Sequence, residues 1–131
     1  MKKEEAMEVK VKIWIEDNEE NLVFGGGKTE VLKLIDETGS ISKAAQRVGM
    51  NYKKAWSHIK ILENHIEDDL VHTKKGRGED SGSSLTPKAR EIIQTYEILQ
   101  SDIKKYAQER FKELFLKDNK EIINIKENGN D

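Results

Sequence analysis

Two glycines constrain the fold most, because they divide one stretch of the sequence into three short runs with the apolar spacing of α-helices. Gly39 and Gly49 follow the first and second runs, in the position where a left-handed residue ends a helix. Ser42 and Asn51 precede the second and third runs and are predicted to cap them. The three predicted helices cover residues 28–38, 43–48 and 52–66. The last two, joined by a short glycine turn, form a helix-turn-helix arrangement.

Three consecutive glycines, Gly25–Gly27, precede the first predicted helix and are followed by Lys28. Free amides at a helix start can cradle an anion. The spacing, however, lacks the first glycine and the intervening residues of a phosphate-binding loop. We therefore expect a flexible hinge and a helix start here.

A β-hairpin is predicted before the glycines. Residues 9–16 alternate strictly, with Val9, Val11, Ile13 and Ile15 on one side, which is typical of a half-buried strand. A polar run separates this strand from a second apolar segment at 22–24.

A second hairpin is predicted directly after the helix-turn-helix. Residues 70–74 read as a strand, 75–83 as a glycine-rich loop and 84–85 as a short return strand. A hairpin in this position is a wing. Its basic residues, which we expect to contact phosphates or the minor groove, are Lys74, Lys75 and Arg77.

Thr86 and Pro87 give a strong helix-start signal, an N-cap followed by proline at the first helical position. The helix that they open carries apolar residues seven apart, and these residues are more numerous than the core of one small domain needs. We therefore predict a dimerisation helix. The predicted contact residues are Ile92, Tyr96, Leu99, Ile103 and Tyr106.

These elements predict a mainly α fold with small β elements: a winged helix-turn-helix with an N-terminal β-hairpin and a long C-terminal dimerisation helix. The predicted divisions are a flexible N-terminus at 1–8, the DNA-binding domain at 9–86, the dimerisation helix at 87–116 and a mostly disordered tail at 117–131.

Charge is distributed unevenly along the chain. The 131 residues include 23 Lys and Arg against 25 Asp and Glu, a net charge of −2, which argues against a simple polybasic nucleic-acid binder. Between Thr38 and Leu62, however, there is no acidic residue. The basic residues in this stretch are Lys43, Arg47, Lys53, Lys54 and Lys60. An acid-free stretch in so acidic a chain is poorly explained as an ordinary solvated surface.

The third helix is predicted to enter the major groove of DNA, where polar side chains at its start read base edges and flanking cations contact phosphates. Trp56 is predicted to pack against the core rather than to stack on bases. With the wing residues named above, the predicted DNA-binding residues are Ser42, Lys43, Asn51, Tyr52, Lys53, Lys54, Ser57 and Lys60.

Other functional classes are poorly supported. The sequence has no cysteine, and its three histidines, His58, His65 and His72, lack the spacing of a metal site. We expect no catalytic residues, no metal and no cofactor. No apolar run approaches the ~20 residues of a membrane helix, so we expect a soluble, cytoplasmic protein.

Residues 25–56 and the Leu85-Thr86-Pro87 sequence after the wing resemble the N-terminal DNA-binding domain of ModE-type molybdate-responsive regulators. The most specific segments are Gly39–Ser42, Ala44-Ala45 and Met50–Trp56. The chain is more distantly similar to LysR-type winged helices. The resemblance implies a dimeric transcription factor that binds double-stranded DNA at a palindromic operator.

Full-length ModE-type proteins carry a C-terminal oxyanion-binding module, and this sequence ends before one could begin. Binding of molybdate or another oxyanion is therefore not expected. Two alternatives stay open: a winged-helix module that binds proteins, and a regulator that senses an oxyanion at the Gly25–Lys28 turn or the dimer interface.

Overall fold

Four α-helices and two antiparallel β-hairpins make up the part of the chain that the structure, a computed structural model, describes: residues 7–74 and 82–116. They confirm the predicted winged helix with a leading hairpin and a long C-terminal helix. In chain order, the elements are β1 (Trp14–Glu16), β2 (Leu22–Gly25), α1 (Gly26–Thr38), α2 (Ile41–Val48), α3 (Tyr52–Ile66), β3 (Val71–Lys74), β4 (Gly82–Leu85), α4 (Pro87–Phe111) and a π-helical segment (Lys112–Leu116).

The core is built around α1, whose Val31, Leu32 and Ile35 are almost fully buried. The alanines Ala44 and Ala45 of α2 have no side chain beyond Cβ and are also buried, which lets α2 pack closely. The core side chains supplied by α3, the wing and α4 are Ala55, Ile59, Leu62, Leu70, Leu85, Ala89 and Ile93.

Left-handed glycines end α1 and α2 as predicted, with φ of 71° at Gly39 and 75° at Gly49. The cap of α2 differs from the prediction. Ser40, not Ser42, accepts the hydrogen bond from the backbone N–H of Lys43, at 3.1 Å. Both serines suit the role, but Ile41 is buried in the core, so α2 begins there and Ser42 lies exposed in its first turn.

The first strand is shorter than predicted. Residues 9–13 keep the predicted alternation of half-buried and exposed side chains, but they form no strand. Their potential partner β2 has only four residues, because α1 begins at Gly26. Pairing therefore covers Trp14 to Glu16 alone, and Ile15, predicted to face inward, is 43% exposed.

Other element boundaries also shift. α1 begins two residues earlier than predicted, inside the glycine run, where Thr29 Oγ1 donates to the carbonyl of Gly25 at 2.9 Å. β4 begins at Gly82 rather than at residue 84. Thr86 caps α4 as predicted, accepting from Ala89 N at 3.1 Å.

The chain divides into two compact units. Residues 13–97 hold both hairpins, α1 to α3 and the first part of α4. In the other unit, Gln108 of α4 is bonded to the N-terminal segment. Its Oε1 accepts from Val9 N at 2.7 Å, and its Nε2 donates to the carbonyl of Met7 at 3.2 Å.

Tyr96 is not available for the predicted dimer contact. It is 6% exposed, its ring meets Phe24 edge-on at 5.1 Å, and its hydroxyl donates to the carbonyl of Ile13 at 2.8 Å. Its side chain completes the core of its own protomer instead.

Across 7–74 and 82–116, no helix combines the length and the apolar character needed to cross a membrane.

Candidate nucleic-acid interface

Helix α3 packs against the core with one apolar side, so that its opposite side faces outward. Ala55, Ile59 and Leu62 are at most 4% exposed. At its start, Asn51 Oδ1 accepts from Lys54 N at 2.8 Å, as predicted for the cap. The Asn51 side chain is therefore already hydrogen-bonded at its oxygen, and its amide NH₂ is left for a further partner.

The outward side of α3 gathers cationic, polar and aromatic side chains. At 3.6 residues per turn, the members of this group fall within an arc of about 140°. They are Tyr52, Lys53, Trp56, Ser57 and Lys60, and all are exposed. We call this group the α3 outer face.

Lys54 does not lie on the α3 outer face, although the sequence analysis grouped it with Lys53. Consecutive helical residues are about 100° apart, which turns Lys54 toward the flank that carries His58. The pKa of His58 is lowered, mainly by burial and then by the charges of Lys28 and Lys54. The side chains of the two adjacent lysines thus lie on different sides of the helix.

Three cations of α2 and α3 are left without counter-charges by the described part of the chain. Lys43, Lys53 and Lys54 are exposed, and none forms an ion pair with residues in 7–74 or 82–116. Arg47, by contrast, pairs with Glu37 of α1 at 3.1 Å. Within the described residues, the acid-free stretch of sequence therefore folds into a surface on which three lysines have no ion-pair partner.

Trp56 is far more exposed than predicted. Its side chain is 45% exposed rather than packed in the core, and the ammonium of Lys60 lies 5.3 Å from its ring centroid. Lys60 also pairs with Glu63 Oε1 at 3.0 Å, so this predicted phosphate contact already has an anionic partner.

Glu63 has a structural role that was not predicted from the sequence. It is 8% exposed, and its Oε2 accepts from the backbone N–H groups of Leu70 at 2.8 Å and Val71 at 3.3 Å. The end of α3 is therefore hydrogen-bonded to the first strand of the wing. A carboxylate that follows a core leucine near a helix end was the available signal.

The wing is also fixed at its second strand. Ser83 N donates to the carbonyl of Gly39 at 2.8 Å, and Thr86 Oγ1 donates to the carbonyl of Asp69 at 2.7 Å. Lys74 ends β3 and is exposed. Two other predicted wing contacts, Lys75 and Arg77, lie outside the described residues.

The glycine run does not present a free cation beside a helix start. Lys28 is 4% exposed, and its ammonium donates to the carbonyls of Leu22 at 2.8 Å and Val23 at 3.1 Å. Burial lowers its pKa. These contacts fix the end of the first hairpin against α1 and give no support to anion binding at this turn.

His58 and His65 lie in different environments. His65 Nε2 lies 3.3 Å from Asp17 Oδ2, while His58 Nδ1 is buried without a partner among the described residues. Within 7–74 and 82–116, no three His, Asp or Glu side chains are grouped as metal ligands would be.

Helix α4 carries an exposed apolar stripe beyond Tyr96. Leu99 is 41% exposed, Ile103 40% and Tyr106 63%, and the i, i+4, i+7 spacing puts them on one side of the helix. Ile92, the first predicted member of this stripe, is half-buried against the core.

Comparison with known proteins agrees with this geometry. Residues 28–90 match the model of the bacterial regulatory helix-turn-helix proteins of the lysR family. This range begins in α1 and ends in the first turn of α4.

Three curated relatives are similar to this chain over more than half of its length. The molybdenum-pterin-binding protein MopB of Rhodobacter capsulatus is 32% identical over 82 residues, which are 63% of this chain and 30% of MopB. The transcriptional regulator ModE of Haemophilus influenzae is 30% identical over 56% of this chain and 29% of its own. The DNA-binding transcriptional dual regulator ModE of Escherichia coli K12 is 35% identical over 55% of this chain and 28% of its own. The chain thus spans less than a third of the length of these relatives.

Proposed function

We propose that this protein is a sequence-specific, DNA-binding transcriptional regulator of the ModE-like type, because residues 28–90 match the model of the bacterial regulatory helix-turn-helix proteins of the lysR family. The observation that carries the proposal is the group of exposed lysines on α2 and α3 that form no ion pair with residues in 7–74 or 82–116. Lysines without counter-ions at the start of a helix suit a polyanion whose base edges lie in a groove wide enough for that helix.

In the proposed complex, α3 enters the major groove with its first turns. Tyr52, Lys53 and Ser57 contact base edges, while Lys43 and Lys54 contact phosphates on either side. Ser42 and Asn51 supply further hydrogen-bond donors at the two helix starts. The wing contributes Lys74, together with the cations of its loop.

Lys60 has a different proposed role from the one that the sequence suggested. Because its ammonium is paired with Glu63, Lys60 attracts a phosphate less strongly. The same ammonium lies over the ring of Trp56 and favours one orientation of that ring. We therefore assign it to positioning within the α3 outer face.

We further propose that the protein acts as a homodimer on a palindromic operator. Leu99, Ile103 and Tyr106 would form the contact, with Ile92 at its edge. A two-fold dimer presents two copies of α3, and half-sites about one helical turn apart would match them.

The dimer is tested by adding a charge to the stripe. Ile103→Asp is expected to convert the dimer to a monomer in sedimentation equilibrium, because a carboxylate in an apolar seam loses its hydration. Ile98→Asp is the matched control: Ile98 is 55% exposed on the same helix but lies about 140° away from Ile103. Equal dissociation constants for both variants would reject this seam.

No catalytic activity is proposed, and the cytoplasm is the proposed location because a bacterial regulator must reach chromosomal DNA. One of these relatives, MopB, is named as a molybdenum-pterin-binding protein. Whether this chain binds an oxyanion is tested by thermal shifts with molybdate, tungstate and sulfate, and we expect no shift at millimolar ligand.

The function itself is tested by selecting DNA from a random pool with the purified full chain. The expected result is an enriched palindromic motif, bound more tightly than scrambled DNA at the same salt concentration. Recovery of DNA without any enriched motif would contradict sequence-specific regulation and favour the protein-binding alternative.

A further inference from the structure

Trp56 lies on the α3 outer face between Tyr52 and Lys60. It is one helical turn beyond Tyr52, and its indole is 45% exposed although the core lies close by. The exposed part of a large apolar ring is hydrated unfavourably and contributes nothing to folding. Covering that part with a ligand therefore lowers the free energy.

The ring is part of a series of contacts that favours one orientation. The ammonium of Lys60 lies 5.3 Å from its centroid, and that ammonium is itself 3.0 Å from Glu63 Oε1. Glu63 in turn accepts hydrogen bonds from two backbone N–H groups of the wing. A ring positioned by this series of contacts loses little conformational entropy when it meets a ligand.

The other tryptophan shows that exposure alone does not create this environment. Trp14 is 53% exposed, but it lies on the first hairpin and its Nε1 donates to Glu16 Oε2 at 2.9 Å. An anionic neighbour of this kind is unfavourable beside DNA. Trp56 differs because the charge beside its ring is the ammonium of Lys60, and the carboxylate paired with that ammonium, Glu63, is buried and accepts two backbone hydrogen bonds.

The major groove offers one apolar group for such a ring to cover. Guanine, cytosine and adenine present hydrogen-bonding atoms there, whereas thymine presents its 5-methyl group. Pressing an indole face against the polar edges would leave donors and acceptors without water, so the ring discriminates in favour of a methyl.

We propose that Trp56 is a specificity-determining residue that contacts the 5-methyl group of a thymine in each operator half-site. The inference rests on the proposed function and deepens it, because it names a base and the group on that base that is recognised. Lys60 and Glu63 act as positioning residues for the ring.

The test removes the methyl groups one at a time. In the selected operator, each thymine is replaced by deoxyuridine in both half-sites, and affinity is measured by fluorescence anisotropy of labelled DNA. One position is expected to weaken binding of the wild-type protein about fourfold per methyl, or about 15-fold for the symmetric pair. The remaining positions are expected to change affinity less than twofold.

Two variants identify the protein side of the contact. Trp56→Ala is expected to bind the operator more weakly and to lose its sensitivity to that deoxyuridine pair. Trp14→Ala is the matched control and is expected to keep the full 15-fold sensitivity. Retained sensitivity in Trp56→Ala, or no sensitive thymine for the wild-type protein, would overturn the inference while leaving sequence-specific binding intact.

A fluorescence measurement covers the case in which Trp56→Ala does not fold. The chain has two tryptophans, so Trp14→Phe leaves Trp56 as the sole indole emitter. Its emission is expected to shift to shorter wavelength when the protein binds the operator that contains thymine, and to shift less when it binds the deoxyuridine operator. Identical emission with both operators would overturn the inference, and failure to select any operator would overturn the proposed function together with it.

Discussion

Two surfaces of the molecule carry cations but differ in ion pairing. One is shared by α1 and α4, and the other is formed by α2 and α3. Between α1 and α4, Lys33 pairs with Glu97 at 2.8 Å, and Arg90 makes two 2.9 Å hydrogen bonds to Asp36. These pairs line a shallow cavity of about 380 Å³. On α2 and α3, the described chain gives Lys43, Lys53 and Lys54 no counter-charge.

The difference shows how a chain with a net charge of −2 can still attract a polyanion. Paired cations have little outward field, and an exposed pair contributes only about 0–1 kcal/mol to stability. Cations without partners contribute nothing to the fold, but they create a local positive potential that steers association. The arrangement of acids, rather than the number of bases, separates the two surfaces.

The largest effect on operator affinity is expected from Lys53→Ala. Loss of a base contact should weaken operator binding by about 1–3 kcal/mol and relax the preference at one position, measured by anisotropy with a panel of operator variants. Lys33→Ala removes the same charge from the α1–α4 surface and should leave affinity almost unchanged. A uniform loss across all sequences for Lys53→Ala would assign it to phosphate instead.

A second test uses Glu63, the acid that closes the acid-free stretch. Glu63→Gln should lower the free energy of unfolding by about 1.5–3 kcal/mol, because the carboxylate accepts two backbone hydrogen bonds in a buried position. Glu97→Gln, at an exposed pair, should cost about 0–1 kcal/mol. Urea denaturation measures both, and equal losses would mean that burial of Glu63 is not what distinguishes the two pairs.

The smallest expected effect concerns histidine titration followed by NMR. The pKa of His58 should lie below 6.5 and that of His65 above it. Burial and the nearby charges of Lys28 and Lys54 lower the first, whereas hydrogen bonds to the Ile61 carbonyl and Asp17 raise the second. Lys54→Gln should move the pKa of His58 upward and leave that of His65 in place. An unchanged His58 would show that the unpaired charge is not felt there.

The same shifts fix the signs of the pH dependence of stability. The contribution of His65 is fully present below pH 6.5, its unfolded value, and is lost as pH rises through its raised pKa. The contribution of His58 has the opposite sign, present above pH 6.5 and lost as pH falls. His65→Ala should therefore make the protein lose more stability between pH 8 and pH 5.5 than the wild type does.

Local signals predicted the helices well, because their ends depend on neighbouring residues. Gly39, Gly49, Asn51 and Thr86 act within one turn of their own positions, so their roles were legible in the sequence. The choice between Ser40 and Ser42 was not, since it depends on the burial of the residue between them.

Contacts between distant residues account for the other differences. Tyr96 has the right spacing for a dimer seam, but its hydroxyl finds the carbonyl of Ile13, which no periodicity can reveal. Lys28 and Glu63 are charged residues buried by contacts with backbone groups. The exposure of Trp56 likewise depends on where its helix meets the rest of the core.

The central claim, that the unpaired cations of α2 and α3 bind DNA, is tested most directly by the salt dependence of operator affinity. If each subunit of a dimer neutralises about three or four phosphates, log K should fall against log[salt] with a slope of about −5 to −7. Replacing Lys43, Lys53 and Lys54 together by Gln should make the slope shallower by about 3 to 4, because two phosphate contacts are lost in each subunit while those of the wing remain. Replacing Lys33 and Arg90 by Gln should leave the slope unchanged. A wild-type slope near zero, or the same slope for both variants, would contradict the account.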